Sequence, residues 1–408
     1  MESRIVVTGV GLMTGLGLDL PSTWQGLMEA RRVTRRFTLF DPAGLDVPVG
    51  VELPGGADER FKAAIKPRSR AQMTRATQIA VLAAEAALAD SGIDLQAEDR
   101  ERVGVVGGAT GTGYAPTTLE ADPNRILKNM ASASAAWISL RNQVQGPAMV
   151  VSTACSSGAY AVAAAWDWLA RGDCDVVIAG SAESALNAPD VQGFAALMAL
   201  AEPDDDVEGL SRPFDARRRG FVMGEGGGFL VLETEAHALR RGARILAVVH
   251  RPGLNSEGYN ILSPQPGGEG MARAMRLALK NAGLPPEAVG YVNAHGTSTQ
   301  MNDLFETQAI KAVFGPHAAR LPVSSTKSST GHCLSGAAGV ECAITVKALV
   351  EGMLPATLNL RQPDPELDLD YVPNVPRAAS FDHAMSNSFA FGGQNGVCVF
   401  SRYDGAGK

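Results

Sequence analysis

The feature that most constrains this chain is a local order that occurs twice. Val150-Val151-Ser152-Thr153-Ala154-Cys155 is an apolar strand that turns into an Ala-rich helix. Much later, Val323-Ser324-Ser325-Thr326-Lys327 leads through Thr330-Gly331-His332 into a second helix of small residues ending near Val350. Both segments run from apolar strand to Ser/Thr/Gly turn, reactive side chain and small-residue helix. Such weak self-similarity is the mark of a duplicated architecture. At 408 residues the chain also exceeds the size at which one hydrophobic core usually stops growing. Two lobes, or one core shared by two similar halves, are therefore expected. The seam falls at 240–245, after the strand Gly228 to Leu232 and a polar helix, giving halves 1–244 and 245–408. No linker rich in Pro or Ser lies there, so the halves should pack together.

Strand-like and helix-like runs alternate along most of the length. Ile5 to Val10 is a strand. Thr74 to Asp90 has helical periodicity and is stopped by Ser91-Gly92, and Val103 to Val106 reads as a buried strand. This alternation predicts an α/β fold around a mostly buried sheet. The 45 glycines suit many sharp strand-to-helix turns.

A net charge of −7 argues against nucleic acid, which calls for a basic face. Local basic runs at 31–36, 66–75 and 217–219 read either as solvated surface or as docks for an acidic partner. The five cysteines are odd in number and form no CxxC pair, so a reducing cytoplasm is expected rather than a disulfide framework or a zinc site. The N-terminus runs straight into an apolar strand without a signal-peptide pattern, and no uninterrupted apolar run is long enough for a membrane span.

Cys155 lies at the first turn of a helix, where free backbone N–H groups and the helix dipole favour a thiolate and draw the thiol toward neutrality. Ala154, Ser156, Ser157 and Gly158 leave room for a substrate to reach the sulfur. A buried inert cysteine is the competing reading. Cys174, Cys333, Cys342 and Cys398 lack this setting and read as structural. Of the six histidines, His295 sits where a strand ends in Gly296-Thr297-Ser298-Thr299, and His332 sits at the second duplicated turn. Two neutral imidazoles beside one cysteine can present N–H donors to a single developing oxyanion. Lys327, buried near a histidine, would keep that imidazole neutral. Asp303 and Glu306 read as acids in a first helical turn. Glu341, inside a small apolar helix, needs a partner or a cation. The cluster 387–395 is either a mobile loop that closes a pocket and supplies an oxyanion donor, or a simple turn with core phenylalanines. The Gly-rich stretch 107–113 departs from the GxGxxG order, which argues against a nicotinamide cofactor.

Taken together, these segments resemble the β-ketoacyl-acyl-carrier-protein synthases, and in particular the elongating type II group with a Cys-His-His site. Thr153-Ala154-Cys155-Ser156-Ser157-Gly158, Asn293-Ala294-His295-Gly296-Thr297-Ser298-Thr299, Ser325 to His332 and Asn387-Ser388-Phe389 carry the likeness. Arg212-Pro213-Phe214-Asp215 and Gly220 to Gly226 add to it. The resemblance implies a thiolase fold: two βαβαβαββ halves in five αβαβα layers. It implies that Cys155 takes an acyl chain from the pantetheine thiol of an acyl carrier protein and condenses it with a malonyl thioester. His295 and His332 would stabilise the enolate, with Lys327 supporting His332. Backbone N–H groups of Cys155 and Phe391 would form the oxyanion hole. Thr297 and Thr299 match pantetheine contacts, and Phe391 matches the gating aromatic. A structural cation, Na+ or K+, would lie near Asn293, Glu341, Ser386 and Asn387, with no other cofactor. A homodimer is implied, or a heterodimer with a ketosynthase-like partner.

Three departures point toward a specialised pathway such as polyketide or polyene assembly. Ala390 and Gln394 replace the usual Gly and Thr of the closing loop. Gly111 stands where elongating members often carry a bulkier acyl-pocket residue. Glu202-Pro203-Asp204-Asp205-Asp206 occupies a region that is basic in fatty-acid enzymes, a difference that Arg68 and Arg70 would offset. A non-catalytic chain-length partner subunit is the remaining alternative, disfavoured by the intact cysteine and histidines.

Overall fold

The computed structural model describes residues 4–110 and 123–405. Its first half runs β1 (Ile5–Met13), α1 (Arg75–Ser91), β2 (Val103–Gly108), α2 (Ala133–Asn142), β3 (Ala148–Val151), α3 (Ser157–Arg171), β4 (Val176–Glu183) and β5 (Gly226–Thr234). The second half repeats that order. It runs β6 (Gly253–Ser256), α4 (Glu269–Ala282), β7 (Tyr291–Asn293), α5 (Gln300–Phe314), β8 (Val323–Ser324), α6 (Ala337–Glu351), β9 (His383–Phe389) and β10 (Gln394–Ser401).

Pairing repeats as well. In the first half β3, β2 and β4 are parallel, and β5 then joins β4 to β1 in antiparallel pairing. In the second half β8, β7 and β9 are parallel, and β10 joins β9 to β6 in the same antiparallel way. A short strand, Ala247–Val249, pairs with β1 on one side and β10 on the other, so the two ladders are hydrogen-bonded into one.

The local chemistry matches these bounds. Every residue of β1 and of β4 is buried, as expected of strands covered on both faces. Thr74 caps α1 by accepting the Thr77 N–H, and Gly92 ends it in the left-handed conformation. The helices α1 and α2 cover one face of the first sheet, and α4 and α5 cover the outer face of the second. Between the sheets lie α3 and α6, packed in one apolar cluster with strands of both halves. Five αβαβα layers result, and the core is shared.

Contact within the central layer is very close. A Cβ on Gly158 of α3 would stand 2.5 Å from the Gly339 nitrogen of α6, and one on Gly339 would stand 2.4 Å from the Gly228 carbonyl of β5. Bare backbone is what brings the two duplicated turns to one place.

Candidate active site

Cys155 follows β3 on a tight elbow. Ala154 holds a φ of +48°, a conformation that costs a non-glycine residue of the order of 1 kcal/mol. Side chains of the helix start hold it there. Ser157 Oγ accepts the Thr153 N–H at 3.0 Å and donates to the Ala154 carbonyl at 2.7 Å, while Ser156 Oγ donates to the Thr153 carbonyl at 2.8 Å. The thiol is buried. Burial pushes it up to about 11, against the pull of the Lys327 charge and of the Phe391 and Cys155 backbone N–H groups. A thiol drawn toward neutrality, as the helix position suggests, is therefore not what the site produces. Burial is the largest influence on the sulfur, and the resting group is a protonated thiol.

His295 follows β7 and His332 follows β8, so the parallel pairing of those strands sets the two side by side. The Cys155 sulfur and one nitrogen from each imidazole all lie within 4.8 Å of one another. The imidazole rings stand 5.4 Å apart, almost perpendicular at 85°. His295 and Gly296 donate their backbone N–H groups to the two oxygens of Glu306, at 2.9 and 2.7 Å. Lys327 donates to the His295 carbonyl at 2.6 Å and lies 3.3 Å from its Nδ1. An ammonium can only donate, so Nδ1 is the acceptor and Nε2 carries the hydrogen. His332 is held by its main chain, through its N–H on the Val222 carbonyl at 2.7 Å and the Gly224 N–H on its own carbonyl at 2.9 Å. The Phe221 ring meets it edge-on at 5.1 Å. Burial, and then the charge of Lys327, hold both imidazoles well below their usual range, so both are neutral.

The expected pairing of Lys327 with His332 needs correction. Gly331, at φ +64°, turns the chain between them, and the lysine reaches back across the strand ends to His295 and to the Glu341 carboxylate. Only its charge acts on His332. Burial pushes Glu341 up to about 7, opposed by Lys327.

Four oxygens on Glu341 and on neighbouring strand residues are buried without a partner: Asn293 Oδ1, Glu341 Oε2, Ser386 Oγ and Asn387 Oδ1. Asn293 pairs with Ser386 in register and donates its amide to the Glu341 carbonyl at 3.3 Å, so three of the four sit on touching elements. Amide, hydroxyl and carboxylate oxygens suit a hard cation. Asn387 is the exception. Side chains alternate along a strand, and its amide points to Glu306 and the Met275 sulfur on the other face. Only its main chain can belong to that group.

A cleft of about 560 Å³ opens above the three reactive side chains, lined in part by Thr297, Thr299, Phe389 and Phe391. Thr297 and Thr299 bond to each other through their hydroxyls at 2.9 Å. Phe391 rides the hairpin between β9 and β10, whose tip is tied down by the Gly392 N–H on the Ile261 carbonyl at 2.7 Å. Gln394 closes the same turn through its carbonyl, which accepts the Ala390 N–H at 3.1 Å. Gly111 lies outside the described residues. The acidic run at 202–206 is largely neutralised from within: Glu202 pairs with Arg219, Asp204 with Arg212, and Asp206 with both Arg32 and Arg361.

Comparison with known proteins identifies this arrangement. A sequence profile described as "Beta-ketoacyl synthase, N-terminal domain" matches residues 2–238, and its C-terminal counterpart matches 246–361. The chain belongs to the β-ketoacyl synthase family. It is thus an acyl-transferring condensing enzyme with a thiolase fold. Among its relatives, this family member is 40% identical to 3-oxoacyl-[acyl-carrier-protein] synthase 2 of Synechocystis sp., over 98% of this chain and 99% of that one. Two solved structures resemble it closely. One, "The ishigamide ketosynthase/chain length factor", has a TM-score of 0.90 at 31% identity, covering 99% and 100% of the two chains. The other is a type II polyketide ketosynthase bound to its acyl-carrier protein, with a TM-score of 0.89 at 27% identity over the same shares.

Of the two acids expected in a first helical turn, Asp303 stands there, and Glu306 lies beyond it. Glu306 is fully buried and holds the His295 turn. Asp303, equally buried, accepts the Phe214 N–H at 2.9 Å and the Ser298 N–H at 3.2 Å. Their spacing carried the signal, because both fall on the buried face of α5 with Thr307, Ile310 and Phe314.

Proposed function

We propose that this chain is an elongating 3-oxoacyl-acyl-carrier-protein synthase. What carries the reading is the meeting of a thiol and two neutral imidazoles within 4.8 Å at the floor of a cleft, in a member of this family. In the first step the Cys155 sulfur attacks the carrier's acyl thioester. The Cys155 and Phe391 N–H groups receive the oxyanion, and the carrier thiol leaves with the proton that Cys155 gives up. A malonyl thioester then enters and its carboxylate leaves as carbon dioxide. The enolate oxygen that forms accepts N–H bonds from His295 and His332. Its carbon attacks the Cys155 thioester, the sulfur departs and takes a proton, and a 3-oxoacyl carrier is released.

Thr297 and Thr299 fit a role along the pantetheine arm, and Phe391 fits a gate over the thiol. Na+ or K+ suits the oxygens of Asn293, Glu341 and Ser386 with the Asn387 main chain, where it would hold the support of Lys327 in place. Division into halves 1–244 and 245–408 is supported by the repeat itself. A cytoplasmic dimer, homomeric or paired with a ketosynthase-like subunit, agrees with five unpaired buried cysteines and with relatives of these kinds. A second reading, ketosynthase of a discrete polyketide pathway, is favoured by the likeness to two polyketide-type structures.

Cys155→Ala is expected to abolish the covalent acyl adduct seen by mass spectrometry with acyl carrier substrates. Persistence of that adduct on the variant would overturn the assignment.

A further inference from the structure

Three polar side chains meet where the two ladders join. His383 opens β9 and pairs in register with Ser401, the last residue of β10, so both side chains stand on one face of the sheet. His250 follows the joining strand Ala247–Val249, whose Val248 pairs with Ser401, and so lies diagonally across from the serine on that same face. Val397 and Val399 precede Ser401 on this face and pack in the apolar cluster under α4 and α5. At Ser401 the apolar pattern stops. Its hydroxyl stands between two imidazoles, 2.6 Å from His250 Nε2 and 2.7 Å from His383 Nδ1. None of the three residues lines the cleft, so the condensing chemistry does not account for them.

Both rings are kept in the form that binds metal. Burial lowers His250 to about 4, with the charge of His383 adding to the fall, and burial lowers His383 against the pull of Asp382. A neutral imidazole has a ring lone pair to give, and an imidazolium has none. The charged side chains next to them in sequence are engaged with other groups, Asp382 with Arg402 and Arg251 with Asp167. His250 and His383 are only partly covered, which leaves an ion a path in from solvent.

We propose that His250, His383 and Ser401 form a binding site for a divalent transition-metal ion of the zinc class, with the two imidazole nitrogens and the serine oxygen as ligands and water completing the shell. Two nitrogen donors suit Zn2+, Ni2+ or Cu2+, whereas Mg2+ and Ca2+ prefer sets made of oxygen. An ion placed between the rings, about 2.0–2.1 Å from each nitrogen, takes over the contacts that the hydroxyl now makes. Its ligands come from β9, from β10 and from the chain just after the joining strand, which also pairs with β1. The ion therefore acts as a staple at the junction of the two ladders, away from the reacting groups. This site does not depend on the ketosynthase reading.

Calorimetric titration of the full, untagged chain with Zn2+ tests this. Cys155, His295 and His332 are themselves close enough to hold a metal, so Cys155→Ala is the background throughout. One Zn2+ per chain is expected to bind and to raise Tm, while Mg2+ at the same concentration does neither. His383→Gln keeps a side chain able to bond Ser401 but removes a strong ligand. It should weaken zinc binding at least about tenfold, which is what loss of even an outer-shell partner costs a metal site, and His250→Gln should do the same. Anomalous scattering from zinc-soaked crystals of the background chain locates the ion whether or not a variant folds. A zinc peak between His250 and His383 supports the proposal. No peak there, no binding in the background chain, undiminished binding by folded histidine variants, or an equal response to Mg2+ overturns it.

Discussion

Lys327 has the most consequential environment of any single residue. Its ammonium is buried with the Glu341 carboxylate and fixes the hydrogen of His295 on Nε2. Lys327→Met strands a buried carboxylate and removes that fixation, and breaking such a pair costs about 3–5 kcal/mol. Adding Glu341→Leu removes the stranded charge, so the double variant should regain most of the lost stability in urea denaturation. Malonyl decarboxylation should stay depressed in both, because His295 has lost its support. His295→Ala is expected to lower decarboxylation about 10²–10³-fold, the effect of deleting one oxyanion donor, while acyl loading of Cys155 falls much less. Because burial and Lys327 hold both imidazoles far below their usual range, neither should give the decarboxylation rate a limb in the ordinary imidazole region. The limb expected there belongs to Glu341, pushed up to about 7, and Glu341→Gln should remove it from the rate profile. At this scale the sequence was legible in its reactive groups and blind to their supports. Cys155, His295 and His332 stand in turns whose local composition declares them. Lys327 chooses His295 over His332 only through the turn at Gly331, and the partners of Asp206 are Arg32 and Arg361, far away along the chain.

Among the elements, the two central helices have the least tolerance. An alanine methyl at Gly339 meets the Gly228 carbonyl at 2.4 Å and Ser181 at 2.6 Å, all backbone that cannot step aside. Gly339→Ala should therefore cost at least the upper end of the usual 1–3 kcal/mol for overpacking, read as a lower urea midpoint. Gly193, inside the helix Ala188–Ala196 with open space around its Cα, supplies the contrast. Gly193→Ala should stabilise by about 0.5–1 kcal/mol. Strand and helix order was legible because period, caps and Gly stops are local signals. The buried carboxylates of α5 were not, since an acid in a first helical turn already has a sufficient local explanation.

Across the whole molecule, stability is tied to pH through a cluster beside the seam. His237 bonds Glu233 through Nδ1 at 2.6 Å and Glu98 through Nε2 at 2.9 Å, while Arg241 and Thr8 also hold Glu233. Bonds to Glu233 raise His237 above its ordinary value, against burial, with Glu98 adding to the rise. Burial opposes the shift of Glu233, but bonds from Arg241, His237 and Thr8 depress it to about 2. The signs are opposite. The His237 contribution is complete below the unfolded imidazole value of about 6.5 and is lost as pH rises through the raised one. The Glu233 contribution is complete above the unfolded carboxylate value and is lost as pH falls toward 2. The contribution of this cluster should therefore be greatest in mildly acid solution and fall away at alkaline pH, while His250, His295, His332 and His383, all held below their ordinary values by burial, lose stability in acid. The Tm difference between the unaltered chain and His237→Gln should accordingly shrink as pH rises.

The strand Ala247–Val249, shared between β1 and β10, and the helices α3 and α6, buried between the two sheets against strands of both halves, have a further consequence for the life of the chain. Neither half owns a reaction centre. A nascent chain emerging as far as β5 holds its thiol but no imidazole to work with, and the histidines arrive only when the second sheet has docked. Condensation thus requires both halves, because a chain cut after β5 keeps the thiol but lacks the Phe391 N–H and both imidazoles.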